Sequence, residues 1–152
     1  MNKVAIDCEM VGDINNHAML AYVALVDTNL GCIYKTFVQP KNSVHYFRNT
    51  GITSSQLASG KTFSQVQNEV QRLIAGKLLI GHSVSVDLQA LGIRHPESQI
   101  RDIADRYKVD GKSLSLKILA RDKLGEDIQT GNFHDPEEDA KAAMKIYKRY
   151  PW

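Results

Sequence analysis

The spacing of apolar residues changes character part-way along the chain, and that change limits the fold more than any other feature. Apolar and β-branched residues alternate over residues 3–11, 20–27 and 32–39, with polar or Gly-containing turns between them. Three successive antiparallel strands are expected. After a loop rich in Ser, Gln and Thr, the period lengthens: Phe63, Val66, Val70, Leu73 and Ile74 recur at helical spacing and stop at Gly76. "KLLIGHS" returns to strand, Val84–Leu91 reads as a helix closed by Gly92, and "QIRDIA" gives a short fifth strand. Helices follow over residues 113–124 and from Pro136 onward. Strands first, then helix and strand in turn, predict an α/β fold: a mixed five-stranded sheet flanked by helices, with a site at strand ends.

The 152 residues suit one domain over 1–152, with no repeat, linker or low-complexity tract. A chain of this size buries roughly two-thirds of its unfolded surface. Hydrophobic content of 43% and charged content of 24% exclude a disordered or fibrous class. No apolar run is long enough to cross a membrane, and the N-terminus lacks the basic-then-apolar layout of a signal peptide. An intracellular protein, of nucleus or cytoplasm, is expected. Cys8 and Cys32 have no zinc-ligand spacing and read as reduced core residues. Net charge is only +2, yet residues 28–68 hold no acid beside Lys35, Lys41, Arg48 and Lys61. "DPEED" at 135–139 gathers the opposite sign. Such ground can attract a polyanion, or can be an ordinary solvated face.

Acids stand in three apolar contexts. In "AIDCEMVG" Asp7 and Glu9, two apart, share one strand face while Ile6, Cys8 and Met10 share the other. The flanking residues are apolar on both sides, as in a covered strand, although an edge strand facing water is the competing reading. In "LIGHSVSVDLQALG" Asp87 falls among Val84, Leu88 and Leu91 on one helix face and is expected to point inward, rescued by a local hydrogen bond or by a cation. In "NFHDPEEDAKAAMKIY" Asp135, Pro136 and Glu138 read as N-cap, N1 and N3 of a capping box. Asp139 is left over; it continues into the stripe of Ala143, Ile146, Tyr147 and Tyr150 and also points inward. Four carboxylates on buried faces repel one another unless a positive ion lies among them. With no soft Cys set and no His pair, oxygen ligands favour Mg²⁺ or Mn²⁺. Two such ions about 4 Å apart clamp a phosphodiester for in-line attack, and His134 offers a general base for the attacking water.

"AIDCEMVG", "IGHSVSVDL" and "HDPEEDA" resemble, in order and spacing, the three motifs of the DEDDh group of 3′→5′ exonucleases in the ribonuclease H-like superfamily. "DCEMVG", "HPESQIRDIADRYK" and "DIQTG" are most similar to the branch of RNA exonuclease four, interferon-stimulated 20 kDa exonuclease and apoptosis-enhancing nuclease. The resemblance implies a ribonuclease H-like domain that shortens single-stranded RNA, and single-stranded DNA, from the 3′ end to nucleoside 5′-monophosphates by a two-metal-ion mechanism. It implies Asp7, Glu9, Asp87 and Asp139 as metal ligands and His134 as general base. Met10 is implied beside the terminal nucleotide and Arg48 at its sugar; Thr50 stands where the family commonly has Ser. Asp102 recurs in the branch outside the three motifs and is read as structural. A monomer acting on 3′ ends without a membrane is the expected setting. A ribonuclease H-type endonuclease and a non-catalytic nucleic-acid binding module are the alternatives. His17, His45 and His95 read as surface residues, and His82 as a packed or hydrogen-bonded one.

Overall fold

The computed structural model describes residues 2–152. Three strands, β1 (Lys3–Gly12), β2 (Ala18–Val26) and β3 (Cys32–Phe37), pair antiparallel in sequence. Then come α1 (Ser54–Ala58), α2 (Phe63–Ile74), β4 (Leu78–Gly81), α3 (Val84–Leu91), a 3-10 turn (Glu97–Gln99) and β5 (Ile100–Asp102). The chain closes with α4 (Ile103–Arg106), α5 (Leu116–Leu124) and α6 (Pro136–Arg149). The sheet order is β3-β2-β1-β4-β5, with β4 parallel to both β1 and β5. β1 is therefore central, the position in which a strand is covered on both faces.

Each face carries its own core. Val66, Val70 and Ile74 of α2 and Leu88 and Leu91 of α3 pack on Ile6, Cys8, Val23 and Leu25. On the opposite face Leu119 of α5 and Ala143, Met144 and Ile146 of α6 pack on Ala5, Val26 and Ile80. Each fully buried aliphatic side chain stabilises the fold by about 1.5–3 kcal/mol. The alternation read from the sequence thus holds along β1, with Met10 packed against the same cluster as Ile6 and Cys8. A bulge between Glu9 and Met10 interrupts the β1–β2 ladder.

Several details differ from the sequence reading. The loop after residue 39 contains α1, which starts on a capping box: Thr53 accepts from the Gln56 amide and Gln56 Oε1 accepts from the Thr53 amide. The helix expected over 113–124 begins at Leu116, because the Ser115 hydroxyl accepts from the Ile118 amide and fixes the start there. Asp135 is the N-cap of α6, but its side chain accepts from the Glu137 amide, and Glu138 turns away to accept from the Gln129 amide. There is no capping box at α6. Cys8 is buried as expected, whereas Cys32, at the start of an edge strand, is exposed. His95 is half-buried, with Nε2 2.8 Å from the Lys77 carbonyl oxygen, and is not a plain surface residue. Tyr150 lies past the end of α6 and is exposed, outside the stripe that Tyr147 completes.

Candidate active site

The ladder between β1 and β4 runs only from Lys3–Leu78 to Ala5–Ile80. Beyond Ala5, β1 runs on while the neighbouring chain turns away at Gly81. A side chain at Gly81 would meet Val84 Cγ2 at 2.9 Å and the Ile6 carbonyl oxygen at 3.0 Å, so only glycine lets the backbone turn this close to β1. This crevice at the carboxyl ends of two parallel strands is where open α/β sheets place their ligands.

Asp87 enters it from the first turn of α3 and is only 3% exposed. Its helix starts unusually. Ser83, at the N-cap, sits in the left-handed region with φ of 61° and makes no side-chain cap. Asp102, at the end of β5, does that work. Its Oδ1 accepts from the Ser83 and Ala104 amides at 2.9 Å each, and its Oδ2 accepts from the Val84 amide at 3.0 Å. One carboxylate therefore caps α3 and α4 together and fixes the turn that carries Asp87. This agrees with the structural reading of Asp102, although nothing in the spacing disclosed its partner at Ser83.

Asp139 comes from the opposite face of the sheet, in the first turn of α6, and is 4% exposed. Gln129 Nε2 donates to its Oδ1 at 2.9 Å. Sequence reasoning missed Gln129: it lies in an irregular segment with φ of 57°, where no periodicity signals a role. Lys35 was also missed as a neighbour of the site. Its Nζ reaches from β3 to Asp135 Oδ1 at 3.0 Å and Glu137 Oε1 at 3.2 Å, tying the edge strand to the start of α6.

Asp7, Glu9, Asp87 and Asp139 are brought together as expected. Burial, then the charges of Asp87, Asp139 and Glu9, push the Asp7 carboxyl well above the usual carboxylate range. Burial, then Asp139 and Asp135, raise Glu9 to about 7. Asp87 is raised by burial, which outweighs the opposing contact with the Cys8 thiol, and Asp139 is raised by burial against the Gln129 hydrogen bond. Cys8 is core, yet its thiol also interacts with Asp87. His134 is 56% exposed, with Nδ1 3.8 Å from Asp139 Oδ2. Ligand atoms of Glu9, His134 and Asp139 all lie within 4.8 Å of one another. Buried Asp7 Oδ2 and Asp87 Oδ2 have no hydrogen-bond partner among the described residues. Unpartnered buried carboxylate oxygens facing like charges fit a divalent cation, which offsets both costs. His82 is hydrogen-bonded as expected, Nε2 to the Leu114 carbonyl at 2.7 Å.

Met10 follows Glu9 on β1, is half-buried, and packs on the apolar cluster of Ile6 and Cys8. Arg48 is exposed, at φ of 56°, and its guanidinium is held by the tip of the β1–β2 hairpin: Nε donates to Asn16 Oδ1 at 3.0 Å and Nη2 to the Asn16 carbonyl at 2.5 Å.

The raised carboxyls give a sign for stability against pH in the metal-free protein. A carboxyl such as Glu9, at 4.5 ordinarily and about 7 here, binds more protons folded than unfolded between those values. Its stabilising contribution is complete below the lower value and is lost as pH rises through the upper one. We expect the melting temperature in EDTA to fall between about pH 5 and pH 8, with Glu9 alone contributing on the order of 2 kcal/mol once solvent screening of a partly exposed group is allowed for. Millimolar Mn²⁺ or Mg²⁺ should recover it at the higher pH. Calorimetry at both pH values with and without the ion checks this; a metal-free protein that gains stability with pH contradicts it.

A sheet ordered β3-β2-β1-β4-β5, with carboxylates gathered from β1, α3 and α6 at its carboxyl ends, defines the ribonuclease H-like class of α/β folds. Within that class the chain belongs to the exonuclease family: the RNase_T model, described as Exonuclease, matches residues 4–147. Proteins named RNA exonuclease 4 are similar over nearly the whole chain. That of Aspergillus fumigatus is 41% identical over 96% of this chain and 50% of its own length. Those of Mycosarcoma maydis and Xenopus tropicalis are 42% and 38% identical over 97% and 95% of this chain, and 42% and 36% of their own lengths. The chain thus spans about half the length, or less, of these relatives. Among solved structures, the Neurospora crassa Pan2 catalytic unit superposes with a TM-score of 0.87 at 25% identity, covering 98% of this chain and 27% of that one. The Saccharomyces cerevisiae Pan2 exonuclease module in complex with AAUUAA RNA does so with 0.84 at 28% identity, covering 98% and 28%. Among the described residues no helix is long and apolar enough to cross a membrane.

Proposed function

We propose that residues 1–152 act as a single exonuclease domain that removes nucleotides from the 3′ end of single-stranded RNA, and of single-stranded DNA, releasing nucleoside 5′-monophosphates. The observation that carries this reading is the pair of buried, unpartnered oxygens on Asp7 and Asp87 within a cluster of four carboxylates. Asp7, Glu9, Asp87 and Asp139 would hold two hard divalent ions, Mg²⁺ or Mn²⁺. Bound there, the ions supply an activated water and stabilise the leaving 3′ oxygen. The protein's own part is placement and proton transfer. Asp102 and Gln129 keep Asp87 and Asp139 in position through the hydrogen bonds described above. His134 stands at the open side of the cluster, where it can accept the proton of the attacking water and pass it to solvent. A monomer in the nucleus or cytoplasm is the setting we assign, in keeping with two free thiols.

Met10 and Arg48 complete the reading as contacts to the terminal nucleotide. The 2′-hydroxyl distinguishes RNA from DNA at one position. Asn16 engages two of the five N–H donors of Arg48, leaving others for a sugar or phosphate. Arg48→Ala is expected to shrink an RNA preference worth about 1–3 kcal/mol without altering the metal requirement. Equal loss on matched RNA and DNA, with a smaller salt dependence, would instead assign Arg48 to phosphate.

The proposal is tested with end-labelled single-stranded RNA and DNA in Mg²⁺, Mn²⁺ or EDTA. A ladder shortening from the 3′ end, absent in EDTA, is expected. Internal cuts would identify a ribonuclease H-type endonuclease, and binding without product a non-catalytic module.

A further inference from the structure

Phe133 is 53% exposed and stands directly before His134. Its ring has a fixed seat: a Cβ built on Gly51 would come within 2.4 Å of the ring Cδ2 and 2.5 Å of Cγ, so the ring lies against bare backbone. Gly51 adopts φ of 73°, a conformation that favours glycine, in the loop that also carries Arg48. That loop is itself braced. Thr50 Oγ1 donates to the Phe47 carbonyl at 2.8 Å and accepts from the Ile52 amide at 3.2 Å, and Ile52 is buried with Val11, Met19 and Leu57. The contact therefore joins the braced loop to the segment bearing His134, and leaves Phe133 about half exposed one residue before the candidate base.

We propose that Phe133, seated on Gly51, is a stacking shelf for the nucleobase of the 3′-terminal nucleotide. This rests on the exonuclease reading of the neighbouring site. The end of a single strand presents an unstacked base, and an aromatic face takes up any of the four because each has a π surface. An enzyme that brings each successive base to the same place needs a contact of that kind. Pinning the ring on Gly51 reduces the side-chain freedom lost when the base arrives.

The experiment compares wild type, Phe133→Ala, Phe133→Leu and Phe133→Tyr on two single-stranded RNAs that differ only in whether the terminal nucleotide carries its base. Rates are measured in Mn²⁺ and dissociation constants in EDTA. Phe133→Ala is expected to lose about 5- to 150-fold in kcat/KM on the intact RNA, chiefly through KM and with matching weaker binding. It should lose little on the abasic RNA, where wild type is already impaired. Phe133→Tyr should restore the contact. Phe133→Leu keeps an apolar group on Gly51 without a π face and should remain impaired. Equal losses on both RNAs would mean that the ring only places His134, and a Phe133→Ala enzyme matching wild type would remove the shelf while leaving the exonuclease reading intact. A wild type that releases no nucleotide from either RNA would overturn both.

Discussion

Asp87→Asn is expected to lower turnover by on the order of 10³-fold or more while leaving a folded protein that, in EDTA near neutral pH, melts above wild type. Both effects have one origin. Asp87 is buried beside Asp7 and Glu9 with an oxygen that none of the described residues satisfies, so its charge costs stability until a cation arrives. The amide keeps the volume and removes the charge. It also removes a ligand, so Mn²⁺ should stabilise the variant less than it stabilises wild type. Asp139→Asn should behave alike in activity, with Gln129 still able to donate to the remaining carbonyl oxygen. Kinetics with matched thermal melts check both variants. Near-normal turnover in either would remove the two-metal assignment, and an unstable but active protein would mean that the acids serve packing.

His134→Ala should divide the two roles that the geometry gives the site. Turnover is expected to drop about 10²- to 10⁴-fold, the usual contribution of a general base. Metal and RNA binding should change far less, because His134 is largely exposed and the buried carboxylates remain. An imidazole acting as base must be neutral, so at saturating metal acidification should slow the wild type, and that pH dependence should vanish in the variant. Its proximity to Glu9 and Asp139 gives the competing role of a metal ligand. Loss of Mn²⁺ affinity in parallel with turnover would establish that role in place of the base.

The elements that the sequence disclosed best are those whose period is uninterrupted. Val84–Leu91 is a helix with the expected ends because apolar residues, a polar start and Gly92 all agree. Along β1, strict alternation placed Asp7 and Glu9 opposite Ile6 and Cys8, and the inward aim of Asp87 and Asp139 followed from the stripes around them. What stayed hidden depends on partners remote in sequence or on irregular backbone. Asp102 takes the Ser83 amide and Lys35 takes Asp135, pairings that no local pattern encodes. Gln129 holds Asp139 from a segment with positive φ. Glu138 fits the capping-box spacing, but a competing donor at Gln129 claims its carboxylate. Thr53 and Gln56 show the reverse: the signature was present in a stretch read as loop because only Leu57 there is buried.

The central strand pairs with its two neighbours over very different chain distances. β2 follows β1 through a short hairpin, whereas Lys3 meets Leu78 only after the first half of the chain has been placed. Forming the hairpins closes small loops early, and joining β1 to β4 closes a much larger one. Asp87 and Asp139 both lie beyond that closure in the chain. The three-stranded meander can therefore form before either approaches Asp7 and Glu9, and the repulsion that the site requires arises only as α3 and α6 dock, in the same step that completes the two apolar cores able to withstand it.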